Sequence, residues 1–137
     1  MSRILIVEAR FYNEISDLLL EGAVAALKQK GIEFDSITVP GALEIPAIIK
    51  QKSKSGRYDG YIALGCVIRG QTSHYDIVAG ESARGLMDLT IHYDLAIGNG
   101  ILTCETQAQA IERAHPERKN KGAFAVDAVL CLMETQK

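Results

Sequence analysis

The chain has little of what most often marks a function on sight. Its three cysteines, Cys66, Cys104 and Cys131, lie far apart in sequence with no C-x-x-C pair. That argues against the spacing of a zinc knuckle or a dithiol redox motif and predicts free, mostly buried thiols. Charge of one sign is also missing: 15 Lys and Arg stand against 17 Asp and Glu, a formal net charge of -2. Without a general positive field to hold nucleic acid or an anionic membrane, any phosphate must be bound locally. Long apolar runs are absent too. The longest are strand-sized, and the opening MSRILIVEAR crowds charges too closely for a signal peptide or a membrane span. A cytoplasmic protein is expected. No internal repeat, linker or low-complexity tract divides the 137 residues, which read as one domain over 1–137 with one core.

What is present is a regular alternation. RILIVE at 3–8 is a short β-branched run, and 13–30 carries Ile15, Leu18, Leu19, Ala23, Ala26 and Leu27 at helical spacing. Gly31 follows Lys28 and Lys30 as a helix stop. A strand is expected at 33–39, then a helix over 44–54 with Pro46 in its first turn. GYIALGCVI at 60–68 is apolar nearly throughout, as in a parallel strand covered on both faces. A helix over about 75–92, a strand at 95–102, a helix opened by the capping-box sequence Thr106 to Gln109, and a closing helix over about 121–135 complete the pattern. Strands alternating with helices predict an α/β three-layer sandwich: a four-stranded parallel sheet flanked by helices, in flavodoxin-like topology with right-handed crossovers.

In such sheets ligands bind beyond the carboxyl ends of the strands. Four loops stand there: ARFYN at 9–13, PGALE at 40–44, RGQTSH at 69–74, and GNG at 98–100 with the residues just after it. The third is the richest. Gly70, Gln71, Thr72 and Ser73 run into a helix whose first N–H groups lack intrahelical partners, which suits an anion. Thr72 or Ser73 with Asp76 would equally serve as a plain helix cap. His74, in the first turn beside this loop, sits where a positive helix end favours the neutral imidazole, a form able to accept a proton; a capping or packing role competes with that reading. His92 and His115 are explained by a helix end and by solvation. Glu44 suits a helix start on dipole grounds alone and could otherwise accept hydrogen bonds from ligand hydroxyls. Arg113, Arg118, Lys119 and Lys121 form a cationic cluster that reads either as a solvated face or as a source of a phosphate partner.

In order along nearly the whole chain, ARFYN, VPGALEIP, GCVIRGQTSHYDIV, and NGILTCETQAQAIERA followed by NKG resemble the motifs of the lumazine synthase family. The resemblance implies an enzyme of riboflavin biosynthesis, a transferase that condenses 5-amino-6-ribitylaminouracil with 3,4-dihydroxy-2-butanone 4-phosphate. The products are 6,7-dimethyl-8-ribityllumazine, phosphate and water, and neither a metal nor an organic cofactor is implied. His74 would transfer protons. Gly70, Gln71 and Thr72 would hold the phosphate with Arg113, Phe11 would stack on the pyrimidine, Glu44 would accept ribityl hydroxyls, and Lys121 would bond the pyrimidine edge. Backbone groups of Ala42, Leu43, Val67 and Asn99 would complete the contacts. Tyr12, Leu43 and Asn99 depart from the family pattern, which more often has Asn, Trp, and an aromatic residue or His at these positions.

The same resemblance implies a homo-oligomer, a pentamer whose sites lie between subunits, with Phe11, Glu44 and His74 facing Arg113 and Lys121 of the next chain. The chain starts almost at its first strand, and AHPERKN at 114–120 lacks the glycine-rich turn associated with capsid-forming members, so an isolated pentamer is expected. A protein of another class, one that binds a flavin or lumazine on this scaffold without turnover, is the alternative; a generic flavodoxin-like phosphate binder would not need His74, Arg113 and Lys121 together.

Overall fold

The computed structural model describes residues 2–136. Its strands are β1 (Arg3–Ala9), β2 (Glu33–Val39), β3 (Gly60–Ile68) and β4 (Ile97–Cys104). Its helices are α1 (Asn13–Gln29), α2 (Ile45–Ser53), α3 (His74–His92), α4 (Gln107–Ala114) and α5 (Lys121–Thr135), with one 3-10 turn at Ala42–Glu44. The strands form one sheet in the order β2-β1-β3-β4, and every neighbouring pair is parallel. Helices cover both faces, giving the three-layer α/β sandwich of flavodoxin-like fold that the alternation predicts.

Side chains on a strand alternate between faces, so each central strand supplies two cores. Ile4, Ile6, Ile62 and Leu64 pack with Ile15 and Leu19 of α1, Ala110 of α4 and Val126 of α5. On the other face Leu5, Val7, Tyr61 and Ala63 pack with Ile45 and Ile49 of α2 and Leu86 and Leu89 of α3. This double burial is why β1 and β3 read as continuous apolar runs.

Two boundaries differ from expectation. β4 begins and ends two residues later than 95–102, because Leu95 closes α3 by donating its N–H to the Leu89 carbonyl, while Thr103 and Cys104 pair with Val67 and Ile68. The segment at Ala42–Glu44 is a separate 3-10 turn, so α2 starts at Ile45. Between α3 and β4 the chain turns through Asp94 with φ 56°. The capping sequence before α4 is also modified. Thr106 Oγ1 accepts from Gln109 N as expected, but the Gln109 side chain reaches back to Glu105 N, one residue before the cap, at 2.8 Å.

Among the described residues the outer side of β4 has no neighbouring strand. There Asn99 turns its side chain back on its own strand, Oδ1 accepting the Ile101 N–H at 2.9 Å.

Helices α1 and α5 meet backbone to backbone. A Cβ at Gly122 would lie 2.2 Å from the Leu19 carbonyl oxygen and 3.0 Å from Ala23 N. Main-chain atoms cannot yield as a flexible side chain would, so Gly122→Ala is expected to destabilise the protein by roughly 1–3 kcal/mol. Thermal unfolding followed by circular dichroism should show a midpoint several degrees lower; an unchanged midpoint would contradict the close packing.

From β1 the chain runs outward to β2, then crosses back to β3 on the other side of β1. This reversal leaves a crevice at the carboxyl ends of β1 and β3, the switch point at which such sheets bind ligands.

Candidate active site

A hollow of about 420 Å³ fills that crevice, and three strand-end loops build it. The loop after β1 supplies Phe11 and Tyr12, the turn after β2 supplies Ala42, Leu43 and Glu44, and the end of β3 with its loop supplies Val67, Gly70, Thr72 and His74. Gln71 lies between two of these residues on the same exposed loop. The lining is mostly apolar with a few polar groups, as expected of a small-molecule site.

Phe11 is 73% exposed and holds its ring edge-on to Tyr12, with centroids 4.9 Å apart. Tyr12 packs against the α1-side core. It is also the N-cap of α1 and makes no side-chain cap hydrogen bond. The departure at this position therefore exchanges a helix cap for an aromatic contact that backs Phe11. The loop is fastened by a pair that no sequence motif marks: Glu8, 5% exposed, accepts from Arg10 NH1 at 2.6 Å and from Thr38 Oγ1 at 3.3 Å. Arg10 also bonds Asp17 and Asn13 on α1. A carboxylate in the run VEAR, amid apolar strand residues, is the signal that could have pointed to it.

Glu44 closes the 3-10 turn by donating its N–H to the Gly41 carbonyl. Among the described residues its carboxylate has neither an ion pair nor a hydrogen-bond donor, so it stands ready to accept hydroxyls.

At the other end of the hollow, the N–H groups of Gly70, Gln71, Thr72 and Ser73 donate no hydrogen bond among the described residues. The cap expected of Thr72 or Ser73 with Asp76 is made only in part, by Thr72 and without Asp76. Ser73 makes no side-chain cap bond, Thr72 Oγ1 accepts the His74 N–H at 3.2 Å, and Asp76 pairs with Arg69 at 3.5 Å. Free amides at a helix start attract an anion. His74 is the first residue of α3, exposed at the mouth beside them.

Cys66 also lines the hollow. Burial, with the neighbouring Cys104 thiol, pushes its thiol up to about 12, so at neutral pH it stays protonated and supplies no nucleophile. The two cysteines are far apart in sequence but sit on paired strands, Cys66 opposite Leu102. Cys104 is buried too, whereas Cys131 is exposed.

Asn99, Arg113 and Lys121 lie elsewhere. They line a second hollow of about 280 Å³ along β4 and α5 that shares no lining residue with the first. Arg113 is steadied by donating NH1 to the Gln109 carbonyl at 3.1 Å, and Lys121 Nζ stands 4.5 Å from the centre of the Phe124 ring. Of the other cations in this cluster, Arg118 is drawn to Glu112 at 3.4 Å, and neither it nor Lys119 lines the hollow. Within one chain, the amide loop and the cations suited to a phosphate are thus not brought together.

No helix among the described residues is long and apolar enough to cross a membrane, and no group of three or more His, Cys, Asp or Glu residues there could hold a metal ion.

The sequence profile of the family described as 6,7-dimethyl-8-ribityllumazine synthase matches residues 1–137. Among relatives of that name, one from Bartonella bacilliformis is 62% identical over 98% of this chain and 90% of its own length. One from Novosphingobium aromaticivorans is 58% identical over 97% and 95%, and one from Zymomonas mobilis is 53% identical over 100% and 98%. Matched along its length in both directions, the chain belongs to the 6,7-dimethyl-8-ribityllumazine synthase family.

Proposed function

We propose that this protein condenses 5-amino-6-ribitylaminouracil with 3,4-dihydroxy-2-butanone 4-phosphate to 6,7-dimethyl-8-ribityllumazine, inorganic phosphate and water, as a step of riboflavin biosynthesis. The observation that carries the reading is the switch-point hollow, which joins an apolar slot, a free carboxylate, and a histidine beside four unclaimed amides, in a chain of this family.

The 5-amino group attacks the ketone carbon and water leaves, giving an imine. Loss of phosphate and tautomerisation expose a second carbonyl, which the ribityl-bearing nitrogen attacks to close the ring with loss of another water. Holding two substrates in one slot removes much of the entropic barrier. Phe11 stacks on the pyrimidine, Glu44 accepts ribityl hydroxyls, and backbone groups of Ala42, Leu43 and Val67 line the ring. His74 shuttles protons between the reacting nitrogens, carbons and oxygens. The amides at 70–72 hold the phosphate.

We infer further that the second hollow faces the first across a subunit boundary, as in a cyclic homopentamer. Arg113 of one chain then reaches the phosphate at its neighbour's amide loop, and Lys121 and Asn99 reach the pyrimidine. A head-to-tail contact of this kind closes into a ring. The separation of the two hollows within one chain supports this reading.

The test is turnover: both substrates together should give the absorbance of the lumazine and a matching release of phosphate, while a bound yellow ligand without turnover would contradict an enzyme. In the same assay Arg113→Lys should already raise KM for the keto-phosphate, roughly tenfold for about 1.4 kcal/mol lost, because an ammonium cannot replace a two-pronged fork. Wild-type kinetics in this variant would remove Arg113 from the phosphate site.

A further inference from the structure

The amide loop at 70–73 follows β3 without regular structure of its own, yet one residue beside it makes four contacts that reach out of the loop. Arg69 donates its backbone N–H to the Cys104 carbonyl at 2.9 Å. Its Nε donates to Glu105 Oε2 at 2.8 Å, and its NH1 approaches Asp76 Oδ1 at 3.5 Å. Its guanidinium lies over the Tyr75 ring, 4.3 Å from the centre. Arg69 therefore joins the entrance of the loop to the turn after β4, and also touches the first turn of α3 on the loop's far side.

Glu105 is itself held, since its N–H donates to the Gln109 side chain of α4. The same helix carries Arg113, whose NH1 donates to the Gln109 carbonyl. The Glu105 carboxylate does not line the hollow.

We propose that Arg69 and Glu105 are positioning residues, a clasp that fastens the amide loop and His74 to the start of α4 and so sets the geometry in which the phosphate-bearing substrate is received. This inference rests on the proposed role of the 70–73 amides as the phosphate site. A cation next to an anion site could instead bind the anion directly. Two carboxylates and an aromatic face already engage Arg69, however, and Gly70, Thr72 and His74 line the hollow while Arg69 does not. The two roles predict opposite responses at Glu105. If Arg69 were a ligand, releasing it from Glu105 would tighten anion binding; if it is a clasp, release loosens the loop and weakens binding.

The experiment titrates inorganic phosphate into the assembled wild-type protein and into Glu105→Gln, Arg69→Lys, the double variant, Thr72→Val and Gln71→Pro, and then measures KM for each substrate. Glu105→Gln is isosteric at an exposed side chain, so folding is preserved, and an unchanged unfolding midpoint verifies it. Expected is a roughly two- to fivefold weaker affinity for phosphate in each clasp variant, the scale of one networked ion pair. KM for the keto-phosphate should rise in step while KM for the pyrimidine stays put, a split that a merely structural defect would not give. The double variant should be no worse than the weaker single one, since both remove the same interaction. Unchanged or tighter phosphate binding in Glu105→Gln, with binding weakened by Thr72→Val or Gln71→Pro, overturns the clasp alone. Normal binding in Thr72→Val and also in Gln71→Pro, which lacks one of the loop's N–H donors, overturns the loop's role as phosphate site, and the clasp falls with it.

Discussion

His74→Ala is expected to lower kcat about a hundredfold, near the lower end of what positioned proton-transfer groups contribute, with little change in KM for the keto-phosphate. The lower end applies because the two substrates still meet in the slot and condense when held together, so orientation survives the loss of the imidazole. In the proposed site His74 serves several proton transfers without being needed as an anchor: it stands at the mouth of the hollow, beside the amides proposed to receive the phosphate. Its backbone N–H bonds to Thr72 Oγ1, a contact that alanine retains. Rates of lumazine formation at saturating substrate decide the matter, and an unaltered kcat would strip His74 of its proton-transfer role.

The second large effect appears on mixing two defective chains. Arg113→Ala removes the guanidinium from the second hollow and leaves Lys121, and His74→Ala removes the proposed proton carrier from the first, so each variant assembled alone should turn over poorly at every site. If sites are shared, an Arg113→Ala chain still offers an intact slot and a His74→Ala chain still offers an intact Arg113. Random co-assembly in equal amounts would pair these intact halves at roughly a quarter of the interfaces of a ring, and activity should recover toward that fraction. Denaturing and refolding the variants together, with each alone as control, makes the measurement. No recovery in mixed particles would sink the shared site, and light scattering must report five times the 14.9 kDa of one chain for the ring to be a pentamer.

The fold was legible in the sequence wherever burial imposed a period. GYIALGCVI is apolar throughout because helices cover both of its faces, and α1 and α5 end within a residue of where their patterns end. β4 was misplaced because Leu95 and Ala96 are apolar for other reasons, Leu95 closing α3 and Ala96 lying buried in the core with its carbonyl on the Tyr61 N–H, while Thr103 and Cys104 belong to the strand through pairing that no local pattern encodes. In the candidate site, residue types alone left His74, Glu44 and the 70–73 loop with ordinary helix-end explanations, and only the family motifs chose between them. The geometry adds that Thr72 caps the His74 N–H without help from Asp76 and that Glu44 is unclaimed among the described residues. The fastenings were illegible for a simple reason. Arg69 and Glu105 are 36 residues apart, Cys66 and Cys104 meet only across a strand pair, and no spacing rule joins such partners before the sheet order is known.

The side-chain bond from Asn99 to the Ile101 N–H has a consequence for the life of a newly made subunit. A single chain carries an open β4 flank, and an open flank can recruit any extended polypeptide in a crowded cell. By filling one of its own donors, the strand lowers its appetite for foreign strands without help from a chaperone or a neighbour. If the chain forms the proposed ring, a subunit can then remain single until a correct partner arrives, so dilution of freshly synthesised chains should slow ring closure without loss of chains to precipitation.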